Sequence, residues 1–250
     1  MIQLRGVRKT FGEQVVLDQV SFDVQEGETV ALLGPSGSGK SVLLKHINGL
    51  LRPDRGSIQV DGLEVSQLKR DQLAELRTRI GYVFQNGALF DSMDVFENVR
   101  LGIADEKRYR DPDYSRDRVA ECIRLVNLSP DTARKFPAQL SGGMRKRVGI
   151  ARAIAGAPKY LLYDEPTSGL DPVNADVIDE LVMRLEQELG VTSVMVTHDV
   201  RGAFRVADRL ALLYDSTIVL QASPEEFRES TDPRVKAFLE RDFDLTSFAA

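Results

Sequence analysis

The chain reads Gly34-Pro35-Ser36-Gly37-Ser38-Gly39-Lys40-Ser41 directly after the apolar run 29–33 and directly before the helix-like segment 42–47. A strand that runs into a G-x-x-x-x-G-K-S loop and then a helix aims consecutive backbone N–H groups and the positive end of the helix dipole at one point. Lys40 would then reach the β- and γ-phosphates of a nucleotide, and the Ser41 hydroxyl would be placed to bind Mg²⁺. We therefore predict a nucleotide-phosphate site on residues 34–41, called the phosphate loop below.

Composition excludes several other classes of protein. With 250 residues, 42% of them hydrophobic, the chain can bury a substantial core as one large domain or one domain with an insertion. A formal net charge of −5, with both signs mixed along the chain, gives no basic field and disfavours nucleic acid as a partner. The single cysteine, Cys122, rules out an internal disulfide and falls on the apolar face of a predicted helix. No run approaches the ~18 apolar residues of a membrane span, and the N-terminus lacks a signal-peptide core, so we expect a soluble cytoplasmic protein.

The order of apolar patterns predicts an α/β fold with a helical insertion. We expect a single domain over residues 1–250, with a nucleotide-binding core from 1–90 and 157–250 and a helical subdomain from 91–156. The predicted elements are, in order, strands within 1–33, a strand at 57–60, a helix near 70–77, a strand at 80–84, helices within 92–156, a strand at 160–163, an amphipathic helix over 173–189, a strand at 191–196, a hairpin at 209–221, and short helices near 224–230 and 233–240.

Two carboxylates end the apolar strand 160–163. Asp164 would lie beside the phosphate loop if the two strands are sheet neighbours, and there it could hold hydrated Mg²⁺. Side chains alternate along a strand, so Glu165 has a different task, which we predict to be polarising the attacking water as general base. Such a pair can also simply cap the next element, and it gains its meaning from the phosphate loop upstream.

A second anion-binding helix start is predicted at Leu140-Ser141-Gly142-Gly143-Met144, before the helix 145–155. Ser141 and the two glycines would present N–H donors and a dipole end to an anion. The phosphate loop already binds one nucleotide, so this second site needs a nucleotide held by another copy. In a two-fold, head-to-tail dimer, residues 141–143 would cover the γ-phosphate held by Lys40 of the other copy. An ordinary helix cap is the alternative.

With these motifs the chain resembles the ATPase subunits of ATP-binding cassette (ABC) transporters over practically its full length. The resemblance implies an α/β fold with a P-loop NTPase (RecA-like) core, an antiparallel β layer and an inserted α-helical subdomain, with ATP and Mg²⁺ as cofactors. The motifs stand in the family's order: Phe11 matches the aromatic that stacks on adenine, 34–41 the Walker A loop, Gln85 the Q-loop glutamine, 140–144 the signature, 160–165 Walker B, 168–171 the D-loop, and His198 the switch histidine.

The resemblance also implies a role for each matched residue. His198 would hydrogen-bond the γ-phosphate and hold Glu165 and the water in line, and Gln85 would touch Mg²⁺ and link the core to the helical subdomain. Taken singly, Phe11 could be strand packing, Gln85 a polar strand end and His198 a capping residue. The predicted site is therefore as follows: Glu165 and His198 catalytic; Phe11, Gly34, Pro35, Ser36, Gly37, Ser38, Gly39, Lys40, Ser41 and Gln85 on ATP; Ser141, Gly142, Gly143 and Asp171 on ATP across the dimer; Ser41, Gln85 and Asp164 on Mg²⁺.

Two departures from the commonest family pattern narrow the resemblance to one group of ABC ATPases. Met144 stands where importer-type cassettes usually have glutamine, and Arg145-Lys146-Arg147 follows it. This tetrapeptide, the segment 84–99 and the segment 232–235 are similar to the Mla-type, Mce-associated lipid transport ATPases. A solvated helix face is the plainer interpretation of 145–147.

The resemblance implies the partners and the location as well. We expect a homodimer of ATPase subunits, integral-membrane permease subunits docked near Gln85 to Val99, a lipid-binding Mce-type component as a further partner, and no nucleic acid. The location implied is peripheral, on the cytoplasmic face of the inner or plasma membrane.

The expected function is ATP hydrolysis that drives phospholipid or related lipid transport. The ATPase of a polar-solute importer and a cell-division or regulatory cassette protein that acts mechanically without cargo are the alternatives. Chromosome-maintenance ATPases are disfavoured because the chain has no sustained heptad stretch.

Overall fold

The computed structural model describes residues 1–242, and the remainder of the predicted domain, 243–250, lies outside the described residues. The strands are β1 (Ile2–Phe11), β2 (Gln14–Val24), β3 (Thr29–Leu33), β4 (Arg55–Val60), β5 (Leu63–Glu64), β6 (Ile80–Val83), β7 (Tyr160–Asp164), β8 (Thr192–Val196), β9 (Arg209–Tyr214) and β10 (Thr217–Ala222). The helices are α1 (Lys40–Ile47), α2 (Arg70–Thr78), α3 (Val95–Arg100), α4 (Glu106–Arg110), α5 (Pro112–Leu125), α6 (Gly142–Ile154), α7 (Pro172–Leu189), α8 (Val200–Val206), α9 (Pro224–Arg228) and α10 (Pro233–Asp242).

The chain divides into two compact units. The first unit combines Met1–Leu73 with the described residues from Thr192 onward, and the second is Ala74–Val191. The predicted boundaries of a core and a helical subdomain at 91 and 156 stay a prediction.

The first unit contains an antiparallel layer in the order β2-β1-β4-β5. Its apolar side chains alternate with more exposed ones, so that Ile2 and Leu4 of β1 and Phe22 and Val24 of β2 are fully buried. This is the pattern of strands that present one face to a core. The predicted β layer in residues 1–33 is confirmed.

The strand that leads into the phosphate loop lies in a buried parallel arrangement in the same unit. β3 pairs in parallel with β8 on one side, Val30 opposite Val194, and with β9 on the other, Val30 opposite Arg209. Every residue of β3 and β8 is buried. Continuous burial explains why these strands read as apolar runs rather than alternating ones. The hairpin of β9 and β10 turns at Asp215 and Ser216, both with positive φ.

The second unit contains the parallel pair β6 and β7, with Val83 opposite Tyr163, and the helices α3 to α7. The segment 92–156 forms helices and turns without a strand, as predicted. Cys122 of α5 is fully buried, and burial raises the pKa of its thiol to about 11, which fits a core residue.

Helix α7 differs from expectation at its start. The apolar spacing places Val173 on the same face as Ile178 and Leu181, but Val173 is 73% exposed while the other two are buried. The reason is its position in the first turn of the helix, two residues after the cap residue Asp171. The apolar face of α7 becomes covered by the rest of the unit only further along the helix.

Among residues 1–242, no helix combines the length and the apolar character that crossing a bilayer requires.

Candidate active site

The phosphate loop takes a backbone path that requires glycine at two positions. Gly34 has φ 153° and Gly39 has φ 103°. A Cβ atom would stand 2.3 Å from the carbonyl oxygen of Leu213 at Gly34 and 2.8 Å from a methyl carbon of Val16 at Gly39. Both the backbone conformation and the space exclude a side chain there.

Helix α1 begins at Lys40, directly after Gly39, so its first N–H groups have no side-chain cap from that position. Uncapped N–H groups at a helix start are donors for an external anion. The Ser38 hydroxyl oxygen in the same loop is buried and has no hydrogen-bond partner among the described residues. A buried polar atom without a partner is costly, so the loop is suited to a ligand that supplies acceptors, as phosphate oxygens do.

Lys40 is held over the loop by backbone oxygens. Its Nζ donates to the carbonyl oxygen of Gly34 at 2.7 Å and to that of Pro35 at 3.1 Å, and the residue is 6% exposed. The ammonium group is therefore already directed into the loop that a polyphosphate would fill.

Open space surrounds the loop in the first unit. One cleft of about 390 Å³ is lined by Gly34, Pro35, Ser36, His198, Tyr214, Ala237 and Phe238. A second, of about 380 Å³, is lined by Gln14, Val15, Val16, Pro35, Ser36, Gly37, Ser38, Tyr214, Asp215 and Ser216. His198 is exposed and shares the first cleft with the loop, beyond the end of β8.

Phe11 ends β1 opposite Gln14, which lines the second cleft. Phe11 is 47% exposed, and the Nζ atom of Lys9 lies 5.5 Å from its ring centroid. An exposed aromatic ring at the end of a strand is available for stacking against a flat ligand, in contrast to the strand packing that was the alternative.

In the second unit, Asp164 ends β7 and receives a hydrogen bond from Tyr82 of β6. The hydroxyl of Tyr82 donates to Oδ2 of Asp164 at 2.9 Å. Burial, and after it the Asp164 charge, raises the pKa of the Tyr82 hydroxyl well above its usual value, so the tyrosine stays a donor. Sequence reasoning missed Tyr82 because only the register of two strands far apart in the chain brings it to Asp164.

Glu165 follows in a left-handed backbone conformation, with φ 51°. Its carbonyl oxygen accepts two hydrogen bonds, from the backbone N–H of Ser168 at 3.2 Å and from Nζ of Lys146 at 3.3 Å. The chain therefore turns sharply directly after Asp164, and contacts on one oxygen help to fix the turn.

Gln85 is hydrogen-bonded to the turn that follows Glu165, and the residues next to Gln85 contact helix α6. Its Nε2 donates to Oγ of Ser168 at 3.1 Å. Two residues on, the carbonyl oxygen of Gly87 accepts from Nη2 of Arg152 in α6 at 2.6 Å. A Cβ atom on Gly149 of α6 would stand 2.9 Å from the Cα atom of Gly87, so the two backbones are in close contact.

The signature segment begins α6 earlier than predicted. The sequence places the helix start at Arg145, but α6 begins at Gly142 with Ser141 as its N-cap, whose Oγ accepts from the backbone N–H of Met144 at 3.2 Å. The expected cap is thus present. Because the glycines are themselves the first turn of the helix, their N–H groups belong to its donor end.

The D-loop aspartate lies close to the signature. Asp171 caps α7 and accepts a hydrogen bond from Nδ2 of Asn174 at 2.6 Å. A Cβ atom on Gly143 would stand 3.2 Å from Oδ1 of the same Asn174. Signature and D-loop residues thus form one local cluster in the second unit.

The structure therefore distributes the predicted residues over two groups. The first unit holds Phe11, the phosphate loop and His198. The second holds Gln85, residues 141–143, Asp164, Glu165 and Asp171. The predicted roles of these residues on nucleotide and metal stay predictions.

Comparisons with known proteins identify the family to which these motifs belong. The family described as ABC transporter matches residues 17–168, which is more than half of the chain. The probable ribonucleotide transport ATP-binding protein mkl of Mycobacterium leprae is 41% identical over 238 residues, which cover 95% of this chain and 68% of that protein. The intermembrane phospholipid transport system ATP-binding protein MlaF of Escherichia coli K12 is 37% identical over 240 residues, which cover 96% of this chain and 88% of that protein.

Solved structures agree. The dimeric structure of MJ0796, a bacterial ABC transporter cassette, has a TM-score of 0.82 at 37% identity, and covers 90% of this chain and 99% of that one. The structure of cbiO1 from Clostridium perfringens, part of the ABC transporter complex cbiONQ, has a TM-score of 0.82 at 29% identity, and covers 96% of this chain and 98% of that one.

A glycine-bounded phosphate loop between a buried parallel strand and a helix, in an α/β fold of this kind, defines the class of P-loop nucleoside triphosphatases. Within that class, the chain belongs to the ABC transporter family. The predicted α/β P-loop fold, ATP binding and ATP hydrolysis are confirmed.

Proposed function

We propose that the chain is the ATP-hydrolysing subunit of a transporter that moves phospholipid or a related lipid between membranes. Likeness to MlaF proteins over nearly the whole chain, at 37% identity in E. coli and 36% in Haemophilus influenzae, carries the proposal. The tetrapeptide Met144-Arg145-Lys146-Arg147 supports it from the sequence.

The phosphate loop and its helix bind the triphosphate, with Lys40 on the β- and γ-phosphates and Phe11 against the adenine. Ser41, Gln85 and Asp164 would hold Mg²⁺, which when bound would neutralise phosphate charge. Tyr82 orients Asp164 by its hydrogen bond. Glu165 takes the proton of the attacking water, and His198 holds the γ-phosphate and the water in line.

The active form is a homodimer in which the signature of one copy closes the site of the other. The start of α6 at Gly142 supports this assignment, since the N–H groups of a helix start suit a phosphate. The 73% exposure of Val173, two residues after Asp171, supports it as well, because an apolar side chain beside the D-loop suits an interface.

Permease subunits dock on the segment 85–99, at the cytoplasmic face of the inner or plasma membrane, with an Mce-type lipid-binding component as a further partner. The fully buried Asn98 fixes this segment, because the two hydrogens of its Nδ2 are shared among three carbonyl oxygens, those of Phe90, Met93 and Asp94. Phe90 is left 54% exposed on a loop held in this way, which suits an apolar contact with a membrane partner.

A second candidate function is transport of a polar solute such as a ribonucleotide. The 41% identity to the mycobacterial mkl protein favours it, although this chain spans only about two thirds of that protein.

Transport assays separate the two. The chain, copurified with its membrane partner, is placed in liposomes that contain a fluorescent phospholipid, and ATP-dependent lipid transfer to acceptor vesicles is measured. Glu165→Gln serves as the control that binds ATP but does not drive transfer. ATP-dependent uptake of a labelled ribonucleotide without lipid transfer would establish the second candidate, and intact ATP hydrolysis without either would refute both.

A further inference from the structure

The basic triplet 145–147 is only in part the solvated helix face that its charge predicts. Arg145 is exposed and Arg147 is half-buried, but Lys146 is only 6% exposed. The two arginines bond to nearby carbonyl oxygens, Arg145 to Leu140 at 2.7 Å and Arg147 to Asn127 at 2.8 Å. Lys146 stands between the two arginines in the sequence, and the burial of its side chain needs a separate explanation.

Lys146 is directed at the last residue of Walker B. Its Nζ donates to the carbonyl oxygen of Glu165 at 3.3 Å. Burial lowers the pKa of the Lys146 ammonium group, and the charge of Glu165 acts in the opposite direction. A buried cation is unfavourable unless a hydrogen bond and an opposite charge offset its lost hydration, and Glu165 supplies both.

The carbonyl group that Lys146 reaches belongs to a strained residue. Glu165 has φ 51°, a left-handed conformation that residues other than glycine adopt rarely. Such conformations persist only where surrounding contacts hold them, and they are common at functional sites. Two contacts that hold this carbonyl are the bonds from Lys146 and from the N–H of Ser168.

We propose that Lys146 is a positioning residue for Glu165. By its hydrogen bond to the Glu165 carbonyl oxygen, Lys146 holds the backbone turn that directs the glutamate carboxylate at the attacking water. The inference rests on the proposed role of Glu165 as general base. Helix α6 carries the signature glycines in its first turn and, one turn further on, the lysine that holds the base. A shift of α6 when its start engages a phosphate would therefore move the turn at Glu165.

Lys146→Met in the full chain tests the proposal. Methionine keeps most of the apolar length of the side chain and removes the charge and the donor. We expect kcat to fall about 10- to 100-fold, because small displacements of a catalytic group cost that much, with ATP affinity within about twofold of the original chain. The melting temperature should change little, since the Glu165 carbonyl oxygen keeps its hydrogen bond from the Ser168 N–H and the half-buried Glu165 remains accessible to water.

Two further variants complete the test. Lys146→Arg, which restores a cationic donor, should recover part of the lost turnover. Arg147→Met, on the same helix but bonded to Asn127, should keep turnover within about twofold. Turnover of Lys146→Met within twofold of the original chain would overturn the proposal. So would a parallel loss of kcat, ATP affinity and melting temperature, since that shows a purely structural role.

Glu165→Gln, measured in the same series, separates the two levels of inference. If it turns over ATP at the original rate, the base assignment itself is wrong. If it is inactive while Lys146→Met is fully active, only the positioning role of Lys146 is wrong.

Discussion

At the scale of single residues, the proposed site depends on a few atoms that the protein's own hydrogen bonds hold in place. Lys40 is held by two loop carbonyl oxygens, and Asp164 by the hydroxyl of Tyr82. Such preorganisation would let charged groups act on a nucleotide without first being ordered. Two substitutions test the assigned roles directly.

Lys40→Ala should weaken ATP binding about 10- to 100-fold, because it deletes a charge-assisted contact to the phosphates. Isothermal titration with ATP measures the change. Lys45→Ala is the matched control, since Lys45 is an exposed lysine of the same helix. Equal affinity in Lys40→Ala and the original chain would contradict the role of Lys40.

Glu165→Gln should keep ATP binding and lower steady-state hydrolysis by about 10²- to 10⁴-fold, the usual contribution of a general base. Because nucleotide is bound but not consumed, the closed dimer should accumulate with ATP and be visible by light scattering. Hydrolysis at the original rate would remove Glu165 from the role of base.

At the scale of elements, the segment that carries Gln85 and the helix α6 are packed backbone to backbone. Gly87 and Gly149 make this contact, and Arg152 adds a hydrogen bond to the carbonyl oxygen of Gly87. Close backbone contact transmits displacement better than flexible side chains do. We therefore expect that movement of the Gln85 segment is passed to α6.

Gly149→Ala tests this contact, because the contact decides whether the substitution raises or lowers the melting temperature. Alanine is favoured over glycine in a helix by about 1 kcal/mol, so an open site would be stabilised. The new Cβ would instead stand 2.9 Å from the Cα atom of Gly87, and we expect a lower melting temperature. Thermal unfolding measures it, and a higher melting temperature would show that the contact is absent.

Much of the element order follows from local sequence, whereas several site contacts do not. The phosphate loop is readable because glycine, lysine and serine act within eight consecutive residues. Tyr82 with Asp164 and Lys146 with Glu165 depend on how distant segments pack, which no local pattern encodes. Val173 lies on the apolar side of α7 and is nevertheless 73% exposed, because helical spacing specifies which side of a helix is apolar, but not whether the same chain covers it.

At the scale of the whole molecule, the proposed dimer has two sites, each built from both copies. Lys40 of one copy and Ser141 of the other would serve the same nucleotide. This arrangement predicts an outcome that no monomeric site can produce.

Lys40→Ala and Ser141→Arg should each be inactive alone, but a mixture of the two should hydrolyse ATP. In a mixed dimer one site combines both substitutions and the other combines intact Lys40 with intact Ser141. At equal amounts, about half of the dimers are mixed and each has one good site, so about a quarter of the original activity should return. A mixture as inactive as its components would contradict the shared sites.

The absence of a side-chain cap from Gly39 at the start of α1, and the partnerless hydroxyl of Ser38 among the described residues, have a further consequence for the lifetime of the protein. Both are features of a fold that is completed by its ligand, so occupancy should protect the chain against unfolding and proteolysis in proportion to the logarithm of nucleotide concentration. Energy depletion would then shorten the lifetime of this protein in addition to stopping its turnover.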